Sequence, residues 1–243
     1  MNTLSEAWEQ QAARWIKWAR EPGHDSYWQF HRDQFFELLP QPGNLTVDIG
    51  CGEGRLPRDL KKLGHKVIGC DASKTLIEAA AEADPSGEYH LANAAKLPLP
   101  DACGDLVTAF MSLQDVDDLD SSTREIHRIL IDGGHACIAI VHPINSSGEF
   151  TDESFDSPFV IKGSYFAEHN YSDTFERGGL EMTFHSKHRC LDTFSRSFEQ
   201  ADLLIEAIRE HPVPDHVVAA GGRMKRWQRL PLFMHFRLLK IKR

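Results

Sequence analysis

A short apolar run that breaks into glycines at alternate positions, Val47-Asp48-Ile49-Gly50-Cys51-Gly52-Glu53-Gly54, constrains this chain more than any other segment. Glycine adopts positive φ at no steric cost and has no Cβ, so a strand can turn here directly into a helix while its backbone closely approaches a ligand. A dinucleotide fingerprint would need glycine at the first, third and sixth positions, and the sixth here is Arg55. That spacing disfavours a phosphate site and points to a nucleoside. After the loop, Leu56, Leu60 and Leu63 share one helical face that ends at Gly64, and His65-Lys66-Val67-Ile68-Gly69-Cys70 reads as a second strand. Asp71 stands at its tip, where a carboxylate can accept hydrogen bonds from both hydroxyls of a ribose. Ser73 supplies the cap of the next helix.

Further motifs follow in register. Leu91-Ala92-Asn93-Ala94 comes after a third strand, then Leu97-Pro98-Leu99-Pro100-Asp101, then a fourth strand, Asp105-Leu106-Val107-Thr108-Ala109-Phe110. From residue 44 to residue 143 the chain resembles the class I S-adenosylmethionine-dependent methyltransferases, whose first motif is an acid followed by alternating glycines. The resemblance implies an α/β fold, a Rossmann-like, mostly parallel seven-stranded sheet with helices on both faces and an antiparallel last strand. It implies S-adenosylmethionine as cofactor. Asp48, Gly50 and Gly52 would line its methionine end, Asp71 its ribose, and Asn93 and Ala94 its adenine, with Cys51, Ala72 and Met111 also in contact. Asn93 departs from the family, which usually has Asp there; it keeps a carbonyl acceptor but loses the charge.

At 243 residues, 41% hydrophobic and 26% charged, the chain is long enough to bury a sizeable core and short for two domains. A single domain over residues 1-243 is expected, in four parts: a helical cap (1-42), the cofactor-binding core (43-144), a substrate lid inserted after the fifth strand (145-189), and a last helix and strands (190-243). In the cap, Trp8, Ala12, Trp15, Ile16 and Ala19 fall on one helical stripe, packed on the sheet edge, and a second helix runs from Asp25 or Ser26 to Leu39. In the lid, Ser146-Ser147-Gly148 reads as loop, while Phe159-Val160-Ile161 and Leu180 to His185 alternate like strands around Arg177-Gly178-Gly179. Ala136 to Val141, Leu203 to Arg209 and Leu232 to Leu239 supply strands five to seven, with a helix over Leu191 to Ala201.

Methyl transfer asks mainly for alignment, because the sulfonium is already activated, and a base is needed only where the acceptor carries a proton. His142, just beyond the fifth strand, is the candidate base; its other reading is a residue that orders the His-Pro turn. Tyr27, Trp28, Asp115, Tyr165 and His185 are candidate acceptor contacts, and His24 lies in the same cap. The fourth strand lacks an Asn-Pro-Pro-Tyr continuation, and no Pro-Cys nucleophile follows, so base-modifying enzymes of those kinds are excluded. Asp117, Asp118 and Asp120 precede a helix and read as entry acids, with no metal site expected.

A net charge of −9 opposes a nucleic-acid partner, although Arg223, Lys225, Arg226, Arg229, Arg237, Lys240, Lys242 and Arg243 form an acid-free basic tail, a solvated rim or an anion contact. The five cysteines show no paired spacing, so neither disulfides nor a zinc site is expected. No apolar run approaches the ~20 residues that span a bilayer, and no signal-peptide pattern opens the chain, which favours the cytoplasm. The expected activity is O- or N-methylation of a small molecule, with an RNA-modifying methyltransferase or a non-catalytic cofactor-binding domain as alternatives.

Overall fold

A computed structural model describes residues 3–219 and 223–242. Helix α1 (Leu4–Arg20) starts at Thr3, whose side chain accepts from Glu6 N–H while the Glu6 carboxylate accepts from Thr3 N–H. A π-helical turn (Tyr27–His31) leads into α2 (Arg32–Phe36). Alternating strands and helices follow: β1 (Thr46–Ile49), α3 (Arg55–Lys62), β2 (Val67–Asp71), α4 (Lys74–Ala83), β3 (Glu88–Leu91) and β4 (Gly104–Phe110). After a 3-10 turn (Leu113–Asp115) come α5 (Leu119–Ile129) and β5 (Leu130–Val141).

The inserted stretch comprises α6 (Pro143–Ser146), β6 (Gly148–Phe150), β7 (Phe159–Ile161), β8 (His169–Arg177) and β9 (Leu180–His188). The chain closes with α7 (Leu191–Gln200), β10 (Leu203–Glu210), α8 (Asp215–Ala219), a 3-10 segment (Arg223–Gln228) and β11 (Phe233–Lys240).

Seven strands form one sheet in the order β10-β11-β5-β4-β1-β2-β3. β1 pairs parallel with β2 and with β4, whereas β11 runs antiparallel to both β5 and β10. The central strands are apolar on both faces because helices cover both. On one face Val47, Ile49, Ile138 and Phe236 pack with Ile126, Phe194 and Phe198; on the other Leu106 and Phe110 pack with Phe35, Leu56 and Leu60. The chain departs from β1 toward opposite edges of the sheet, and the crevice at the carboxyl ends of β1 and β4 is where such sheets bind ligands.

Several local expectations change. β5 begins at Leu130, directly after α5, rather than at Ala136. The second helix ends at Phe36 and opens as a π turn. The buried stripe of α1 includes Leu4, Ala12, Trp18 and Ala19, while Trp8 and Trp15 are half-buried. The reason is tertiary: α1 packs on α4 and β9, and Phe184 of β9 sits edge-on among Trp8, Trp15 and Trp18 with centroids at 6.3, 5.9 and 6.0 Å.

Of residues 146–148 only Ser147 is a turn: Ser146 ends α6 and Gly148 pairs with Ile161 in a two-stranded ribbon. β8 and β9 form a hairpin through Gly178 and Gly179, both at positive φ as a two-residue type I′ connection requires. Much of the basic tail is used internally. Arg237 pairs with Glu206, Lys240 donates to the carbonyls of His127 and Leu130, and Arg229 donates to those of Phe155 and Ser157. Arg243 and the side chain of Arg223 lie outside the described residues. No helix among the described residues is long and apolar enough to cross a membrane.

Candidate cofactor and acceptor site

The crevice opens into a cavity of about 1380 Å³. Single-ligand pockets usually hold about 300–1,000 Å³, so this one has room for two ligands side by side. Its floor is the glycine loop. Gly50 has φ +70°, and a Cβ there would collide with the Ser112 Cβ, so only glycine lets the tips of β1 and β4 meet. Ser112 Oγ fastens that contact by donating to the Ile49 carbonyl at 2.6 Å.

Asp71 is clamped from both sides: Gly52 N–H donates to Oδ2 and Ser73 N–H to Oδ1, each at 2.8 Å. Each oxygen keeps a lone pair for a hydroxyl. Burial raises the Asp71 pKa, against the pull of those two amides. Asp48, 1% exposed, takes one bond, from Thr108 Oγ1 at 2.6 Å. Burial, reinforced by the neighbouring Asp71 charge, pushes its carboxyl up to about 7. Cys51 is buried beside Gly69, and burial drives its thiol up, so it is a packing group. Asn93 Oδ1 accepts from Ala95 N–H at 2.9 Å, which fixes the turn carrying Ala94. Asp48, Gly50, Cys51, Gly52, Asp71, Ala72, Asn93, Ala94 and Met111 all line this one cavity. Met111 holds φ +56°, a strained conformation for a side-chain-bearing residue, at the tip of β4.

Two groups escape sequence reasoning. Arg55 lies over the rings of Tyr27 (4.2 Å) and Trp15 (4.8 Å) and pairs with Asp25, so it joins the glycine loop to the cap. The sequence signal was its place where a dinucleotide loop has glycine. His31 and His235 share a hydrogen bond between their Nε2 atoms at 2.9 Å, and burial holds both pKa values down, His235 to about 3. They are neutral imidazoles, and His31 lines the cavity stacked on Phe233 at 3.7 Å. Nothing local in sequence pairs residues 31 and 235. His24 also lines the cavity; its Nε2 donates to the Arg177 carbonyl at 2.9 Å, while Nδ1 is buried with no partner among the described residues.

The expected acceptor residues divide. Tyr27 lines the cavity and donates to Asp59 at 3.0 Å; burial raises its phenol. Asp115 lines it too, with Ser186 Oγ donating to Oδ1 at 2.6 Å. Burial pushes this carboxyl up to about 8, opposed by the Ser186 bond and the nearby Arg189. The guanidinium of Arg189 is itself buried and holds the turn by donating to the carbonyls of Gln114 and Val116.

The other four, His142, Trp28, Tyr165 and His185, are not among the residues lining this cavity. His142 has both ring nitrogens engaged: Nδ1 accepts from Ile144 N–H at 3.0 Å, capping α6, and Nε2 meets Glu210 at 2.6 Å. Trp28 is 41% exposed, with its indole N–H on the Ala19 carbonyl. Tyr165 accepts at its hydroxyl from Leu191 N–H. His185 has the wrong parity: Phe184 and Ser186 face the cavity, so their neighbour turns to the other side of the pleat, where it meets Ser172.

This is the crevice of a Rossmann-like α/β protein, lined by the tips of β1, β2 and β4. Residues 47–138 match the family model described as a methyltransferase domain. The ubiquinone/menaquinone biosynthesis C-methyltransferase UbiE of Caulobacter vibrioides is 29% identical over 121 residues, 44% of this chain and 48% of that protein. The malonyl-[acyl-carrier protein] O-methyltransferase of Serratia marcescens is 29% identical over 93 residues, 38% and 36% of the two chains. An S-adenosylmethionine-dependent methyltransferase from Mesorhizobium loti has the same fold, with a TM-score of 0.71 at 23% identity, covering 85% of this chain and 96% of that one. Over residues 47–138 the chain is thus similar to methyltransferase domains, and its fold is that of a solved S-adenosylmethionine-dependent methyltransferase. The chain spans about half the length, or less, of the curated relatives described here.

Proposed function

We propose that this chain methylates a small molecule at oxygen or nitrogen, using S-adenosylmethionine. The observation that carries the reading is the Asp71 clamp beside the glycine loop: a buried carboxylate held by two backbone amides, with lone pairs left for a ribose diol. The bound cofactor supplies an activated methyl group, and the residues around it have only to orient the acceptor and exclude water. The cap (1-42) and the insertion (145-189) do this together, joined at Phe184 within its ring of tryptophans. For a hydroxyl acceptor, Asp115 takes the proton; it lines the cavity from the β4 tip and is steadied by Ser186. Oxygen is favoured because an O-methyltransferase stands among the relatives and Asp115 offers a base; carbon is the second reading, since another relative is a C-methyltransferase.

Calorimetry and thermal unfolding test the cofactor assignment. S-adenosylhomocysteine at 100 times its dissociation constant stabilises the fold by about 2.7 kcal/mol and raises Tm, while NAD leaves Tm unchanged. Asp71→Ala weakens S-adenosylhomocysteine binding at least about tenfold, through loss of charge-assisted hydrogen bonds of about 1.5–3 kcal/mol. A Tm rise with NAD alone refutes the reading.

A further inference from the structure

The cavity continues beyond the glycine loop to the start of β11, three strand spacings from β1, or about 14 Å at ~4.8 Å per strand. Here the wall is apolar: Phe150, Val217, Met224, Trp227, Leu232 and Phe233. Phe150 and Trp227 meet edge to face at 4.9 Å, so this part of the wall is packed. These residues come from the ribbon after β5 and from the segment between β10 and β11, neither of which belongs to the stretch matching the methyltransferase domain.

One side chain breaks the apolar character. Arg226 lines the cavity with its guanidinium carbon 5.1 Å from the centre of the Phe150 ring. Its Nη1 donates to the Asp152 carbonyl, and its Nε is buried with no partner. No carboxylate among the described residues lies within ion-pair distance of it. The other cations of the cavity are accounted for: Lys162 pairs with Glu149 at 2.6 Å, Arg55 pairs with Asp25, and Arg177 donates to backbone carbonyls of the cap. A half-buried guanidinium without a counter-charge among the described residues, set in an aromatic wall, is costly unless a ligand answers it.

We propose that this end of the cavity binds the methyl acceptor as an apolar-bodied carboxylic acid, its hydrocarbon or ring against Phe150, Trp227 and Phe233 and its carboxylate on Arg226. The guanidinium fork matches a carboxylate in geometry. The charge also fits: Arg226, with no carboxylate partner among the described residues and its Nε buried without a partner, balances one negative charge, whereas a phosphate dianion would call for a second. The role as acceptor rests on the methyltransferase reading; the binding itself does not.

The test uses the full chain saturated with S-adenosylhomocysteine, whose own binding is measured first by calorimetry. Decanoate, 4-phenylbutyrate and indole-3-acetate are then titrated beside their uncharged primary amides. At least one acid binds more tightly than its amide, by about tenfold or more. Arg226→Met removes that preference while retaining S-adenosylhomocysteine affinity and Tm; Arg226→Lys restores part of it and serves should the methionine variant fail to fold. Acids that bind no better than their amides, or a preference that survives in Arg226→Met, overturn the proposal. Failure of S-adenosylhomocysteine to bind refutes the methyltransferase reading instead, and the acid titrations on the unliganded chain still decide the anion site.

Discussion

On the proposed cofactor assignment, Asp48 is expected to make binding depend on pH. Its carboxyl is buried under the glycine loop with one hydrogen bond, from Thr108, and burial holds its pKa at about 7. S-adenosylmethionine brings a sulfonium and an ammonium, so the ionised form of Asp48 is the binding-competent one. With a pKa of about 7, roughly 1/11 of the carboxyls are ionised at pH 6 and roughly 10/11 at pH 8, and apparent affinity scales with that fraction. S-adenosylmethionine binding therefore tightens about tenfold from pH 6 to pH 8 on this account alone. Asp48→Asn abolishes the term: its affinity does not change between pH 6 and pH 8, so its deficit against wild type grows about tenfold over that range. Titration calorimetry at both pH values measures it, and subtracting the two proteins removes any titration of the ligand.

Stability moves the other way. The folded pKa lies above the unfolded value of about 3.9, so the contribution is complete below about pH 4 and is lost as pH rises through 7. The Tm of the unliganded chain thus falls between pH 5 and pH 8, and Asp48→Asn lessens the fall. Equal pH slopes of affinity in wild type and variant refute the argument.

Asp115 and His142 separate the base from the turn. For a hydroxyl acceptor, Asp115→Asn slows single-turnover methylation about 10²–10⁴-fold and erases a limb that in the wild type rises with pH through about 8, where this carboxyl ionises. A limb unchanged in the variant removes Asp115 from proton transfer. His142→Ala loses the α6 cap and its Glu210 contact, costing about 1 kcal/mol in thermal unfolding. Turnover corrected for folded protein stays within about threefold of wild type; a loss above about tenfold restores His142 as a base.

What the chain made legible followed from local rules, and what it hid depended on partners distant in sequence. The alternating glycines, Asp71 one strand later and Asn93 after the next are read from the strand tips of parallel β-α units, where position along the strand alone fixes the edge of the sheet. His142 shares that edge, yet position does not say where a ring points, and Ile144 N–H and Glu210 had already claimed both nitrogens. In the hairpin the error was one residue of parity: period 2 is visible in Leu180 to His185, but which face meets α1 is set by Phe184 docking among three tryptophans of another element. The same docking turned Trp18 inward against the stripe read from α1 alone.

Arg226 is the extreme case. In sequence it is one of eight cations in an acid-free tail, and only the fold distinguishes cations that answer carboxylates or carbonyls outside the cavity, such as Arg237 and Lys240, from Arg226, which lines the cavity against an apolar wall. A motif shared by many methyltransferases can specify the cofactor, because every member meets the same ligand. The acceptor is met by elements outside that motif, so its chemistry has to be read from charges and faces that the assembled chain leaves unanswered.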